Sequence, residues 1–280
     1  MQRREFAAAV TAAIAAPAVL AAPPAQASDR AGRADRADKA DRVADEGRGR
    51  EQRGGEGLPH HMLAVLAAEL DDKVAARALV PHLYDVGFDW RPETAALGEL
   101  DFIVAYGFGN RPPAGGGDPS KVRYEPGPVN EALADTVAAL RGRRDVPVYA
   151  QWEIARFLES KHHMTDVTSI EPVVAPDGTI TYLSTDGVAA QVAEARTSLP
   201  GGIGTAGVIG FRDHVKRCVQ TTRDRGMRAY APRGVELPGT YDPESGQAWT
   251  RRRDLYLVHD MVAQWSVLRE KLIARAYPKG

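Results

Sequence analysis

Phe102-Ile103-Val104-Ala105-Tyr106-Gly107-Phe108-Gly109-Asn110 is the stretch that decides the fold. Five apolar residues run together with no polar alternation. Such a run reads as a short strand buried on both faces, the environment of a parallel sheet covered by helices. Glycines follow at once, so the chain turns sharply where the strand ends. Working outward, Val146-Pro147-Val148-Tyr149-Ala150, Gly207-Val208-Ile209-Gly210 and Arg228-Ala229-Tyr230-Ala231 repeat the signature. Pro147 sits near the start of its strand, where a missing donor is tolerated.

Helical spacing fills the intervals. Met62, Val65, Leu66 and Leu70 recur at helix period, and a second helix is expected from Val74 to Leu83. Asn130 is placed as the cap of a helix reaching Leu140, and Trp152 to Leu158 reads as another. Val167 to Val174 reads as extended, with a turn at Asp177-Gly178. Ser184 or Thr185 is placed as the cap of a helix through Val188, Val192 and Ala195, and Asp213 as the cap of one carrying Val215, Cys218, Val219 and Thr222. Leu255, Val258, Val262, Trp265, Leu268 and Leu272 make a stripe along a last helix, expected to face the core. Strands alternating with helices imply right-handed crossovers and an open, mostly parallel α/β sheet with added N- and C-terminal helices.

The first residues carry a different signal. Met1-Gln2-Arg3-Arg4-Glu5-Phe6 is followed by an apolar run of about 16 residues, Ala7 to Ala22, short of the roughly 20 needed to span a bilayer. Ala25-Gln26-Ala27 supplies a small-x-small cleavage pattern, so residues 1–27 read as a signal peptide. Arg3-Arg4-x-Phe6 resembles the twin-arginine motif. That resemblance implies export of a folded protein through the twin-arginine translocase to the cell envelope or beyond. The single cysteine, Cys218, excludes an intramolecular disulfide, and a large core needs none. Residues 28–57 mix charges with almost no large apolar side chain and are expected to be a disordered tether. Residues 58–280, about 220, suit one α/β domain. No second long apolar run suggests a stable transmembrane segment.

Lys and Arg total 36 against 37 Asp and Glu, which argues against a nucleic-acid binder. The Arg251-Arg252-Arg253 run reads as a solvated helix start. Neither a Walker loop, a Gly-x-Ser-x-Gly elbow nor a His-Glu-x-x-His motif is present, so the commonest P-loop, serine-hydrolase and zinc-peptidase chemistries are disfavoured. His60-His61 and His162-His163 are adjacent pairs, whose side chains diverge and chelate poorly, so no metal site is assigned. Cys218 falls on an apolar helix face and reads as an inert core thiol.

Ligands in open α/β sheets sit beyond the C-terminal ends of the strands. Three connections fall there. Gly107, Gly109 and Asn110 offer backbone that can approach an anion. Gln151 and Glu153 begin a helix. Glu153 there suits the helix dipole, or else serves as a general base, a hydroxyl acceptor or a metal ligand. Asp213, His214 and Arg217 begin another helix, where an imidazole, a guanidinium and free amides make an anion site. His214 can also act as acid or base.

The glycine loop, the Glu after the second strand, the Ser/Thr helix start and the strand-x-x-His-x-x-Arg pattern resemble the DUF218 family, also called the ElyC/SanA/YdcF group. The last motif reads Val208-Ile209-Gly210-Phe211-Arg212-Asp213-His214-Val215-Lys216-Arg217, with Gly226-Met227-Arg228-Ala229-Tyr230 following, and the likeness spans residues 101–230. It equates the family's Glu with Glu153 and its third segment with Ser184-Thr185-Asp186-Gly187. The family's Ser-Gly-Gly is here Ala150-Gln151-Trp152, and its Glu-Asn pair is unmatched. The resemblance implies a Rossmann-like three-layer fold, a role in the bacterial envelope, and a nucleotide-type ligand, S-adenosylmethionine included. Two functions stay open. One is an envelope enzyme acting on an anionic, phosphate-containing substrate, with Glu153 and His214 moving protons and Ser184, Thr185 and Arg217 binding. The other is a non-catalytic binding or assembly protein that keeps the cleft.

Overall fold

The computed structural model describes residues 47–278 apart from 119 and 201, with side chains from residue 57 onward. The expected signal peptide and residues 28–46 of the expected tether lie outside the described residues. Helix α1, Gly47–Leu70, takes in the last residues of that expected tether. Extending a helix costs far less than starting one, so the turns around Met62 to Leu70 propagate backward. Helix α2, Lys73–Gly87, is capped by the Asp72 carboxylate, which accepts from the amides of Val74 and Ala75 at 2.8 and 2.9 Å.

The fold is α/β and Rossmann-like. β1 (Thr94–Ala95), β2 (Phe102–Ala105), β3 (Val148–Gln151), β4 (Val167–Ile170), β7 (Thr205–Ile209) and β8 (Arg228–Pro232) form one sheet, in the order β1-β8-β7-β2-β3-β4. Every pairing in it is parallel. β1 was not foreseen, because two residues are too few to show a period.

Period-two alternation sorts β2 between two cores. Ile103 and Ala105 pack with Leu133, Ile154 and Leu158 beneath α3 (Pro128–Arg141) and α4 (Trp152–Ser160). Phe102, Val104 and Tyr106 pack with Val188, Val192 and Cys218 beneath α5 (Thr185–Thr197) and α6 (Val215–Asp224). Cys218 is fully buried, which pushes its thiol pKa up and leaves it protonated.

Three boundaries differ from the sequence reading. α3 starts at Pro128, with Gly127 at φ +77° in the cap position, instead of being capped by Asn130. Proline suits a first helical position, since the amide it lacks would have no partner there. The expected extended segment from Val167 to Val174 is split, because Pro172 cannot donate to a ladder. Its second part, β5 (Val173–Val174), pairs antiparallel with β6 (Ile180–Thr181) across the Asp177-Gly178 turn. α6 starts at Val215, and its cap residue is His214 in place of Asp213.

The largest correction concerns α7, Arg253–Ala276. Leu255, Val258, Val262 and Leu272 are exposed, and Trp265 and Leu268 are half-buried. The buried face is Tyr256, Asp260 and Gln264. That face covers Arg217, and a guanidinium removed from water demands a counter-charge more strongly than a hydrocarbon row demands burial. Among the described residues no helix is long and apolar enough to cross a membrane.

A stability comparison separates true core from this surface row. Leu133→Ala should cost about 2–5 kcal/mol in denaturant unfolding. Val262→Ala should change stability by no more than about 0.5 kcal/mol. A large loss at Val262 would mean that the row is packed.

Candidate functional site

The sheet order reverses between β2 and β7. From β2 the chain crosses to β3 on one side, and from β7 to β8 on the other. The two outgoing connections diverge and leave a crevice, the usual ligand position in such sheets. A cavity of about 260 Å³ occupies it. Gly107 and Gly109 line it from the turn after β2, Gln151 and Glu153 from the start of α4, and Ser184 and Thr185 from the start of α5. His214 and Arg217 line it from the start of α6. Four separate connections therefore meet at one rim, among them the N-termini of α4, α5 and α6, whose dipoles favour negative charge.

The glycine turn is held by amides. Gln151 Oε1 accepts from Gly107 N at 3.0 Å, and Asn130 Oδ1 accepts from Phe108 N at 2.9 Å. Asn130 Nδ2 donates to Gly109 O and Pro126 O, both at 2.6 Å. Asn130 thus pins the loop instead of capping α3. Gly109 has φ +65°, and a Cβ there would lie 2.8 Å from Ser245 Oγ and 2.9 Å from Thr250 Oγ1, so only glycine fits.

Two expected site residues lie elsewhere. Asn110 is buried and does not line the cavity, and its carbonyl accepts from Gly246 N at 2.7 Å. The Asp213 carboxylate accepts from Arg253 Nε at 2.9 Å and from the Tyr241 hydroxyl at 2.8 Å, anchoring the start of α7 to the β7–α6 turn. Both position the rim without lining the cavity. The α5 start agrees with expectation, since Ser184 Oγ accepts from Gly187 N at 3.2 Å.

α7 and the turn before it supply the residues that the sequence reading missed. Gln247, Trp249, Thr250, Tyr256 and His259 complete the cavity wall. Asp260 lies behind them at 1% exposure. Its Oδ1 accepts from Arg217 Nε at 2.5 Å and from Tyr256 OH at 3.0 Å, and its Oδ2 accepts from Gln264 Nε2 at 2.7 Å. Arg217 also donates to Thr185 Oγ1 at 3.3 Å and to Tyr256 OH at 3.2 Å. Burial works against the charge on both Arg217 and Asp260. The pairing outweighs it, holding the carboxyl well below its usual range and the guanidinium fully charged. The signal was present in Tyr256-x-x-x-Asp260-x-x-x-Gln264, a polar row at i, i+4 and i+8 on a helix otherwise striped with hydrocarbon.

Glu153 and His214 are the cavity's titrating pair. Glu153 is 3% exposed, and its Oε2 has no hydrogen-bond partner among the described residues. Burial pushes its pKa up to about 7, against the opposing pull of its own backbone amide and of the Asn110 and Gln151 side chains. His214 is 4% exposed. Burial and then the Arg217 charge push its pKa down to about 4, with Asp260 opposing. Its Nε2 lies 3.4 Å from Thr185 Oγ1, and its Nδ1 lies 3.7 Å from Asp260 Oδ1, beyond hydrogen-bond range. At neutral pH the imidazole is uncharged and the carboxyl sits near its pKa, so one cavity holds a base and an acid. Among the described residues no group of three or more His, Cys, Asp or Glu could hold a metal ion.

Comparison with protein-family models, curated proteins and solved structures finds no match for this chain. The site's chemistry therefore rests on its own geometry.

The two shifts have opposite consequences for stability. Glu153 binds its proton more tightly when folded, so it makes the fold less stable as pH rises from about 4.5 to about 7. His214 binds its proton less tightly when folded, so it makes the fold less stable as pH falls from about 6.5 to about 4. The isosteric Glu153→Gln should raise stability at pH 8 by up to about 3 kcal/mol, with the gain vanishing below pH 4.5. Denaturant unfolding across pH measures it, and a gain independent of pH would refute the raised pKa. Asp260→Asn should cost about 3–5 kcal/mol, because it leaves Arg217 buried and unpaired. It should also lower the His214 pKa further in an NMR titration. An unchanged His214 pKa would show that Asp260 does not act on the imidazole.

Proposed function

We propose that this protein binds a small anionic molecule in the cavity at the switch point of its sheet. The anion lies against Arg217, Thr185 and the N-terminal amides of α5 and α6, and Glu153 and His214 exchange protons with it. The observation carrying this reading is that a fully charged guanidinium and an unpartnered carboxyl near its half-protonation point share one crevice. Protonated Glu153 adds no negative charge to the cavity and offers a donor to the ligand. Ionised Glu153 repels the ligand.

We further propose a DUF218-like protein carried to the envelope by the twin-arginine route, with a phosphate-bearing or nucleotide-like ligand. The reading is supported by the order of motifs along the chain and by the meeting of Glu153, His214 and Arg217 at one rim. Between a hydrolase or transferase and a purely binding protein, the unpartnered Glu153 favours catalysis. A carboxyl buried at a cost in stability, with no structural partner for Oε2, has the character of a working group.

Sulfate is a suitable first probe, because its charge does not change across neutrality. Its affinity should fall as pH rises through 7, and Glu153→Gln should remove that dependence. Thermal shift should also be screened against nucleotides, S-adenosylmethionine and phosphosugars, and no shift with any anion would overturn the reading. Where a screened phosphate ester is turned over, Glu153→Gln and His214→Ala should each lower kcat by about 10²-fold or more. Unchanged turnover in both would leave binding alone. For the route, Arg3-Arg4→Lys-Lys should abolish export, and continued secretion would remove the twin-arginine assignment.

A further inference from the structure

The cavity changes character from its floor to its mouth. Its inner wall is polar, formed by Glu153, Thr185, His214 and Arg217. At the mouth stands Trp249, which is 41% exposed and stacks on His259 with centroids 4.9 Å apart and planes 11° apart. Both rings line the cavity. His259 belongs to α7, and Leu255, Val258 and Val262 fall within roughly 100° of arc beside it at 100° per residue. These are the residues that were expected in the core. Val258 is 58% exposed and Val262 60%. The row spans about 10 Å along the helix axis, with His259 between its ends. A contiguous apolar row on a water-facing helix usually marks a binding surface.

We propose that cavity and row are one site for an anionic amphiphile. The anionic head group enters the cavity and meets Arg217, Thr185 and the starts of α5 and α6. An alkyl chain leaves past Trp249 and lies along Leu255, Val258 and Val262. The cavity, at about 260 Å³, is the size of a head group and cannot also enclose a long chain. A chain attached to a seated head group must emerge at the mouth, where Trp249 and, beside His259, the Leu255, Val258 and Val262 row offer hydrocarbon. The inference rests on the reading of the cavity as an anion site and adds the chemical class of what it takes.

Methyl, hexyl and decyl phosphate, each kept monomeric, test it by isothermal titration calorimetry on the full chain. Affinity should rise about twofold per methylene, half the gain of full burial, and level off once the chain outruns the row. Val258→Asp/Val262→Asp alters exposed positions only. It should erase the gain with chain length and leave methyl phosphate binding unchanged. If methyl phosphate binds and longer chains add nothing, the amphiphile inference falls while the anion site stands. If none of the three binds, both fall. A gain that persists in the double variant places the chain elsewhere and overturns the proposal. So does analytical ultracentrifugation showing a wild-type dimer that the double variant makes monomeric, because the row would then be covered by a second copy.

Discussion

A buried ion pair between Arg217 on α6 and Asp260 on α7 organises the functional end of the molecule. A charge moved out of water into protein costs several kcal/mol, and the cost is recovered only if both partners are held in good geometry and their remaining atoms are satisfied. Here Thr185, Tyr256 and Gln264 supply those remaining bonds. The network joins the starts of α5 and α6 to the middle of α7. It explains why α7 turns polar residues inward, and why that helix lies where Tyr256 and His259 can close the cavity wall. Asp213, through Arg253 and Tyr241, holds the same helix at its beginning.

The pair also sets the electrostatics of the crevice. With Asp260 ionised behind it, Arg217 keeps its charge but is not a bare cation. Burial, with the Arg217 field second, keeps the neighbouring His214 neutral well below physiological pH. Glu153, on the far side of the glycine turn, has no such partner and drifts upward to neutrality. One fold thus holds an uncharged base and an acid poised near neutrality at the same cavity. The arrangement carries a cost in stability, as expected of a working site.

Much of this was legible in the residues. Phe102 to Tyr106 announced a doubly covered strand, and the alternation of strands and helices announced the parallel sheet. The rule that ligands sit beyond the strand ends of open sheets brings Gly107, Glu153, His214 and Arg217 together from sequence alone. What could not be read was governed by contacts distant in sequence. Asn130 looks like a helix cap because caps are local, yet its hydrogen bonds go to the loop around Phe108 and Gly109. Asp213 looks like a cap for the same reason, but besides its neighbour Arg212 its partners are 28 and 40 residues away. The α7 stripe has a faultless helical period, and period alone says which residues share a face without saying whether that face is covered. Only the need of Arg217 for an anion turns the helix the other way.

The placement of Asp260 has a consequence for how the crevice comes into being. Every strand of the sheet, and Arg217 with it, precedes α7 in the chain. During synthesis the α/β core can assemble while its guanidinium still lacks its counter-charge. The cavity becomes a cavity when the late helix arrives, bringing counter-charge, tyrosine, histidine and the hydrocarbon row in a single docking step. A fragment ending before residue 253 would keep the sheet and most of its buried apolar surface, yet it would present an open shelf where the complete chain presents a pocket.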